Sequence, residues 1–270
     1  MRKIFTLSFL LISLFAFSKK PNGDKELALG KQMYKLEKAS WYSTDHFLAT
    51  YPDKIDSIGG YLSYLGENDY VYSIFFSRND NYSILARYKF ENTPNSVPVS
   101  VDTENTIAFE NERNLIAIRQ DAYKKLVESS DNFFQYYENT SYNFIPIISK
   151  SERAVYILTA PRENGYVLIG NDYKLSYNKK NEMVKKKKLH NSLITLPYSD
   201  SESEITTTMH SHVISDIIDP TDICTLLLYK EFVDWNQHIV ISKDYVSIFE
   251  MDKETLLILT RKVWDKMYKK

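Results

Sequence analysis

The stretch ITTTMHSHVISDIIDPTDICTLL, residues 205–227, decides the fold of the C-terminal half of this chain. It begins with β-branched residues and reaches a His-Ser-His triplet, which is typical of a strand. A short loop then leads into an Asp-Pro pair and an apolar run, the usual beginning of a helix. The stretch therefore predicts a strand, a loop and a helix, with His210 and His212 at the strand end and Asp222 in the first helical turn.

These three side chains form a candidate metal site. Residues i and i+2 of a strand point to the same face, so His210 and His212 would hold two imidazoles side by side. Imidazole suits zinc, and catalytic zinc sites use three protein ligands. Asp222 is the candidate third ligand, because a strand–loop–helix unit can fold back to present its carboxylate. Alternatively, Asp222 is only a helix-start residue, since an acid there favours the helix dipole.

The hydrophobic patterns on either side of this unit predict an α+β fold. A helix of rough amphipathic spacing and a β-rich region with turn residues precede it, and a hairpin around Lys243-Asp244 follows. We predict helices over residues 24–49, 110–136 and 253–268, an antiparallel meander over residues 61–90, and a single strand over residues 165–178.

The N-terminus has the pattern of a secretory signal peptide. Arg2 and Lys3 precede an apolar run that ends with small residues near position 18. We therefore divide the chain into a signal peptide (1–18), an N-terminal α/β-meander region (19–109) and a C-terminal domain (110–270). The prediction is a periplasmic or secreted protein with no stable membrane span after signal removal, and the alternative is an uncleaved N-terminal anchor.

Composition excludes other classes of protein. The 34 basic and 35 acidic residues nearly cancel, which argues against a nucleic-acid partner. The lysine run 185–188 suggests a nucleic-acid or membrane surface, but a solvated strand edge explains such a run more simply. Cys224 is the single cysteine, so the chain has no intramolecular disulfide.

HSH at 210–212 and DPTD at 219–222 together resemble the JAMM (JAB/MPN-like) metalloprotease family, over about residues 140–260. That family has an upstream glutamate, then His-x-His, then Ser-x-x-Asp at a helix start. The resemblance implies a mixed sheet flanked by helices, with zinc bound by His210, His212 and Asp222. RENGYVLIG then nominates Glu163 as the base that activates the attacking water. The implied activity is hydrolysis of a peptide or isopeptide bond in a peptide or protein substrate.

Two other hypotheses stay open. Position 219 is Asp where the family has Ser, and a carboxylate there would oppose the negative charge of an oxyanion. This favours a catalytically inactive, secreted binding or structural module on the same fold. The third hypothesis is that the histidine pair is merely an exposed strand end. His46, His190 and His238 each stand alone, and we predict structural roles for them.

Overall fold

The structure, a computed structural model, describes residues 21–79, 83–198 and 205–268. The predicted signal peptide, residues 1–18, lies outside the described residues. Helices and largely antiparallel sheets confirm the predicted α+β class. No helix within the described ranges is long and apolar enough to cross a bilayer. The helices are α1 (Asp24–Thr50), α2 (Glu110–Val127), α3 (Pro220–Tyr229) and α4 (Arg261–Tyr268).

The described strands form three sheets and a two-stranded ribbon. The N-terminal sheet is the predicted antiparallel meander, and consists of β1 (Ile58–Leu65), β2 (Val71–Ser77), β3 (Ile84–Phe90) and β4 (Ser100–Asp102). The central sheet, in the order β5-β6-β8-β9, consists of β5 (Thr140–Ile148), β6 (Arg153–Pro161), β8 (Tyr173–Tyr177) and β9 (Met183–Lys188). The ribbon pairs β7 (Tyr166–Gly170) with β10 (Leu193–Pro197). The C-terminal sheet consists of β11 (Thr207–Ser211), β12 (Gln237–Ile241), β13 (Tyr245–Glu250) and β14 (Thr255–Thr260).

The C-terminal sheet is mixed. Its strand order is β11-β12-β13-β14, and β11 runs parallel to β12 while the other pairs are antiparallel. The connection between the parallel strands carries α3, as a parallel crossover usually requires. The predicted hairpin is confirmed, because β12 and β13 join at Lys243-Asp244. The strand that ends in the histidine pair therefore lies at one edge of this sheet.

The long helix α1 packs against α3 at a glycine. A Cβ atom at Gly30 would lie 2.6 Å from the Cβ atom of Ile223 and 2.9 Å from the carbonyl oxygen of Pro220. Glycine normally weakens a helix, and Gly30 is the one residue that opposes the helical pattern of α1. The close approach explains the glycine, and it fixes the N-terminal turn of α3 against α1.

One hydrophobic cluster spans both sides of the predicted boundary at residue 109. It joins Met33 and Phe47 of α1 and Phe75 of β2 to Tyr156 of β6 and Leu228 of α3. A second cluster packs α2 on the central sheet, and a third lies between the ribbon, α3 and the C-terminal sheet. The N-terminal region and the C-terminal region therefore share one core.

Two predicted helices were too long. The helix predicted over 110–136 ends at Val127, where the polar residues 129–132 follow and Asn132 adopts a left-handed φ of 55°. The helix predicted over 253–268 is strand β14 up to Thr260 and helical only from Arg261. Its β-branched and leucine residues pair with β13, so tertiary packing decided between two local conformations that the sequence allows.

Candidate metal centre

Three histidines and one aspartate converge below the surface of the C-terminal half. One ligand atom from each of His190, His210, His212 and Asp222 lies within 4.8 Å of the other three. All four residues are buried, with exposed fractions of 9 % or less. Buried charges and imidazoles are costly unless they are hydrogen-bonded, paired or bound to a metal. The group could therefore hold a metal ion.

The separations between these atoms suit a tetrahedral ion. His190 Nε2 lies 3.1 Å from His212 Nε2 and 3.0 Å from Asp222 Oδ1. Asp222 Oδ2 lies 3.2 Å from His212 Nε2 and 3.9 Å from His210 Nε2. A tetrahedron of ligands at zinc bond lengths has edges of about 3.3 Å. Three of the four separations lie close to that edge length, and the fourth, from Asp222 Oδ2 to His210 Nε2, is longer.

The strand–loop–helix unit delivers three of the four residues as the sequence predicts. His210 lies in β11 and His212 directly follows the strand, where its backbone N–H still donates to the carbonyl oxygen of Ile241 at 2.9 Å. Residues two apart in an extended chain share a face, so both rings lie on one face of the C-terminal sheet. Asp222 Oδ2 accepts a hydrogen bond from the backbone N–H of Asp219 at 3.1 Å, which caps α3. The same carboxylate faces the imidazoles. Both interpretations of Asp222, as a helix-start residue and as a candidate ligand, are therefore compatible.

The fourth residue, His190, was missed by the sequence analysis. It lies in the connection between β9 and β10, beside Gly170 at the end of β7. A Cβ atom at Gly170 would lie 2.3 Å from the carbonyl oxygen of Ser192 and 3.4 Å from the Cβ atom of His190. Gly170 has a φ of 98°, which favours glycine. The glycine thus lets β7 pass close enough to bring His190 to the cluster.

The same glycine breaks the strand predicted over residues 165–178. Gly170 and Asn171 both have positive φ values, of 98° and 55°, so β7 and β8 belong to different sheets. The single-strand prediction was wrong for this reason. The break has a consequence for the site, because it turns Asp172 inward. Asp172 Oδ2 lies 3.5 Å from His190 Nδ1, and burial raises the pKa of Asp172 to about 7.

The outer nitrogen of His210 is held by another histidine. His210 Nδ1 and His238 Nε2 lie 2.7 Å apart, and His238 Nδ1 lies 2.7 Å from the hydroxyl of Thr208. Thr208 of β11 and His238 of β12 are register partners, so the pairing of the two strands places these side chains next to each other. If His210 Nε2 binds a metal, its Nδ1–H must donate to His238, whose own N–H then donates to Thr208. The residues present allow this tautomer.

The outer nitrogen of His212 is held by the loop before α3. His212 Nδ1 lies 2.6 Å from the hydroxyl of Ser215 and 3.1 Å from the carbonyl oxygen of Ile217. Ser215 donates in turn to Asp219 Oδ2 at 3.0 Å. Each histidine of the cluster thus turns Nε2 to the centre; Nδ1 of His210 and of His212 has a hydrogen-bond partner, whereas Nδ1 of His190 lies 3.5 Å from Asp172 Oδ2 without a hydrogen bond of suitable geometry. Metal-binding histidines in proteins are oriented in this way.

The electrostatics of the cluster favour a cation at its centre. Burial lowers the pKa of His210 to about 4 and that of His238 to about 3, so both rings are neutral at pH 7. Burial also opposes charge on His190, but the Asp222 carboxylate outweighs it and raises the pKa of His190 to about 9. Burial would raise the pKa of Asp222, yet His190 and His212 hold it well below its usual range. The carboxylate is therefore ionised and attracts positive charge.

Two atoms that face the centre lack hydrogen bonds. Within the described part of the chain, His210 Nε2 and Asp222 Oδ1 have no partner of suitable hydrogen-bond geometry. A buried polar atom without a partner costs about 1–3 kcal/mol, so native proteins seldom contain one. A metal ion bound at the centre would satisfy both atoms. The donor set of three imidazoles and one carboxylate fits zinc.

The predicted base, Glu163, is not brought to the cluster. It lies exposed in the turn between β6 and β7, in a cavity that Tyr137 and Tyr166 also line. His190 lies near the opposite end of the ribbon, beyond the length of β7, which is about 13 Å. The carboxylates nearest the three histidines, among the described residues, are those of Asp222, Asp219 and Asp172.

An open groove runs past two of the histidines. It has a volume of about 760 Å³, and His210, His212 and Ser215 form part of its wall. The exposed side chains of Met209 and Val213 add apolar surface there. A smaller cavity of about 40 Å³ touches all three histidines and is large enough for a water molecule. The cluster is buried but lies close to solvent.

Comparisons of the whole chain with protein-family models, with curated proteins and with solved structures found no match. The resemblance to the JAMM family therefore rests on the His-x-His and Asp-x-x-Asp motifs quoted above. The physical case for metal binding is separate from that resemblance, because it depends on the convergence of His190, His210, His212 and Asp222.

Proposed function

We propose that this protein is an exported zinc-binding protein, in which His190, His210, His212 and Asp222 hold one ion. The observation that carries the proposal is the set of separations between ligand atoms, 3.0–3.9 Å for the four pairs described above. Four protein ligands are typical of zinc sites that hold a fold together. Export is part of the proposal, and the charged, apolar and small-residue pattern of residues 1–18 supports it.

Zinc would tie together three parts of the chain. Asp222 belongs to the first turn of α3, His210 and His212 to the end of β11, and His190 to the β9–β10 connection. A bound ion would supply positive charge for the Asp222 carboxylate and a partner for the unpaired nitrogen of His210. The expected role is to fix the C-terminal sheet, α3 and the central sheet relative to one another.

Zinc titration of the chelator-stripped protein tests the proposal. We expect about one equivalent of zinc, and four-coordinate ligand-field bands when cobalt replaces it. His210→Ala and His190→Ala should each weaken zinc binding by at least about 100-fold. His46→Ala is the matched control, because His46 lies on α1 against Tyr88, outside the cluster. Absence of saturable zinc binding, or equal binding by all three variants, would overturn the proposal.

A second candidate function is hydrolysis of a peptide bond, as the JAMM resemblance implies. The open groove beside His210 and His212 favours it, since an extended peptide needs such access. In that case His190 would not be a ligand, and the base would be a carboxylate other than Glu163. Retained zinc in His190→Ala, together with cleavage of a peptide library that is lost in His210→Ala, would favour this candidate. No cleavage by the zinc-loaded protein would refute it.

A further inference from the structure

A second polar site lies at the start of α3 and shares no lining residue with the groove beside His210 and His212. It is a cavity of about 230 Å³ between the N-terminal ends of α1 and α3 and the face of the central sheet. We call it the lysine pocket, because Lys25, Lys174, Lys185 and Lys187 line it. Two acids, Glu26 and Asp219, also contribute to its wall. Positive groups thus outnumber negative groups in a concave site.

Strand geometry divides the lysine run 185–188 into two pairs. Residues of β9 alternate between the faces of the central sheet, so Lys185 and Lys187 share one face and Lys186 and Lys188 the other. On the second face, the Nζ atoms of Lys186 and Lys188 lie 4.5 Å and 5.6 Å from the centre of the Phe133 ring. Lys186 also forms an ion pair with Asp131. These two lysines have partners within the protein.

The lysines on the pocket face differ. Lys187 lies opposite Lys174 and Lys185 lies opposite Ser176, so these neighbouring strands place three exposed or half-exposed lysines along the wall of the cavity. Lys174 pairs with Glu152 at 2.7 Å. Lys25, Lys185 and Lys187 form no ion pair with any residue that the structure describes. Like charges that line one cavity repel one another, and a bound anion would offset this repulsion.

A solvated strand edge explains this arrangement less well. Lysines that only protect an edge from aggregation do not need a cavity, and they would serve equally on either face. Here one face has local partners, while the other adds Lys25 from a distant helix and Lys174 from the neighbouring strand. A nucleic-acid surface is also a poor fit, since the net charge of the chain is −1 and the site is small and concave.

We infer that the lysine pocket binds a soluble anion that carries phosphate, such as inorganic phosphate, pyrophosphate or a small phosphate ester. Lysine ammonium groups bind phosphate as point charges, and three unpaired ones suit an ion with several equivalent oxygens. The volume of about 230 Å³ accommodates a small ligand of this kind rather than a polymer. The backbone at the start of α3, beside Asp219 and Pro220, forms one end of the pocket.

Calorimetric titration with pyrophosphate at low ionic strength tests the inference. We expect saturable binding of one ion with a Kd of about 1 mM or tighter. Lys185→Ala/Lys187→Ala should weaken binding about tenfold or more, because it removes two of the three unpaired ammonium groups. The matched control is Lys186→Ala/Lys188→Ala, which makes the same change in net charge on the same strand but on the opposite face.

Two results would overturn the inference. One is the absence of saturable pyrophosphate binding by the unmodified protein. The other is an equal loss in the two double variants, which would indicate general charge attraction. Thermal melts of both variants check that each is folded. Titration of His210→Ala separates this site from the metal centre, since the lysine pocket should still bind pyrophosphate when zinc binding is lost.

Discussion

Two buried carboxylates in this protein have opposite surroundings. Glu112 of α2 is fully buried and its oxygens accept hydrogen bonds from Arg87 at 2.7 Å and 2.8 Å, from Tyr64 at 2.8 Å and from the Phe109 backbone at 2.8 Å. Asp222 of α3 is equally buried, and its neighbours are three imidazoles, with one ligand atom of each residue within 4.8 Å of the others. The first carboxylate has a permanent cation within the chain, whereas the second is paired only with histidines, which must lose their protons to bind a metal.

The comparison indicates how a structural acid differs from a binding acid. The Arg87 guanidinium and Glu112 form a two-pronged pair, which needs nothing from outside. The Asp222 cluster leaves His210 Nε2 without a partner among the described residues, and its histidines are oriented by outer groups. A cluster whose histidines are oriented and whose central nitrogen lacks a partner is typical of a site that binds an ion. Variants at the two carboxylate sites test whether this difference is real.

The largest expected effect on stability comes from breaking the buried Arg87–Glu112 ion pair. Arg87→Met leaves the Glu112 carboxylate buried without its cation, which should lower the free energy of unfolding by about 3–5 kcal/mol. Urea denaturation with zinc and with a chelator should give the same loss, because Arg87 takes no part in the metal centre. The double variant Arg87→Met/Glu112→Leu should recover part of the stability. A loss below about 1 kcal/mol would mean that the pair is not the buried structural unit described here.

The sequence predicts three of the four residues of the metal cluster but not the fourth. His210, His212 and Asp222 lie within one local unit, so strand alternation and helix-start chemistry predict from the sequence alone that they lie close together. His190 reaches the cluster only through the packing of the ribbon strand β7 against α3, which no local pattern encodes. Its one signal is Gly170 followed by Asn171-Asp172, a left-handed turn in the middle of an apparently continuous strand.

The same limit applies to the fold. The long helix α1 and the first three strands of the N-terminal meander follow from periodicity and were predicted within a few residues, whereas β4 lies beyond the predicted range. The segment 253–268 was not, since its leucines suit a helix or a strand, and pairing with β13 decides. Local patterns therefore predicted the elements and the histidine pair, whereas contacts distant in sequence decided the fourth ligand and the closing strand.

A third buried carboxylate, Glu37, lies between the two cases and should reveal itself through pH. Asn143 donates a hydrogen bond to it at 2.9 Å, but burial dominates and raises its pKa to about 7. The folded pKa thus exceeds the unfolded value near 4.5, so Glu37 costs stability progressively as the pH rises from 4.5 to 7. At pH 8 the free energy of unfolding of Glu37→Gln should be about 3 kcal/mol higher than that of the unmodified protein. At pH 4 the two proteins should differ little in stability.

Denaturation of Glu37→Gln and its parent across this pH range checks the sign. The exposed Glu163 provides the matched control, because Glu163→Gln makes the same chemical change at the protein surface rather than in the core. The opposite sign, with Glu37→Gln less stable than its parent at pH 8, would show that the side chain is ionised and paired in the folded protein. It would then belong with Glu112 rather than between the two carboxylates.

Zinc should stabilise the incomplete cluster and leave the complete pair unaffected. At free zinc about 100 times its Kd, the free energy of unfolding should rise by about 2.7 kcal/mol over the chelated protein. Asp222→Asn should lose most of this gain, because the amide cannot replace the charge of the carboxylate. Thermal denaturation at several zinc concentrations measures the effect. A melting temperature independent of zinc would remove the distinction between Asp222 and Glu112.

The smallest expected effect concerns the group behind His210. His238→Phe keeps a ring of similar size but removes the nitrogen that lies 2.7 Å from His210 Nδ1, so the His210 ring loses its orientation. Zinc affinity should fall about 10–100-fold. The free energy of unfolding of the chelator-treated protein should change by much less than this loss of zinc-binding free energy. The cobalt spectrum should also shift, since a reoriented imidazole alters the ligand field, and a purely structural role would leave it unchanged. If affinity and spectrum both match the unmodified protein, His238 only fills space, and the prepared geometry of the cluster depends on Ser215 and Asp172 alone.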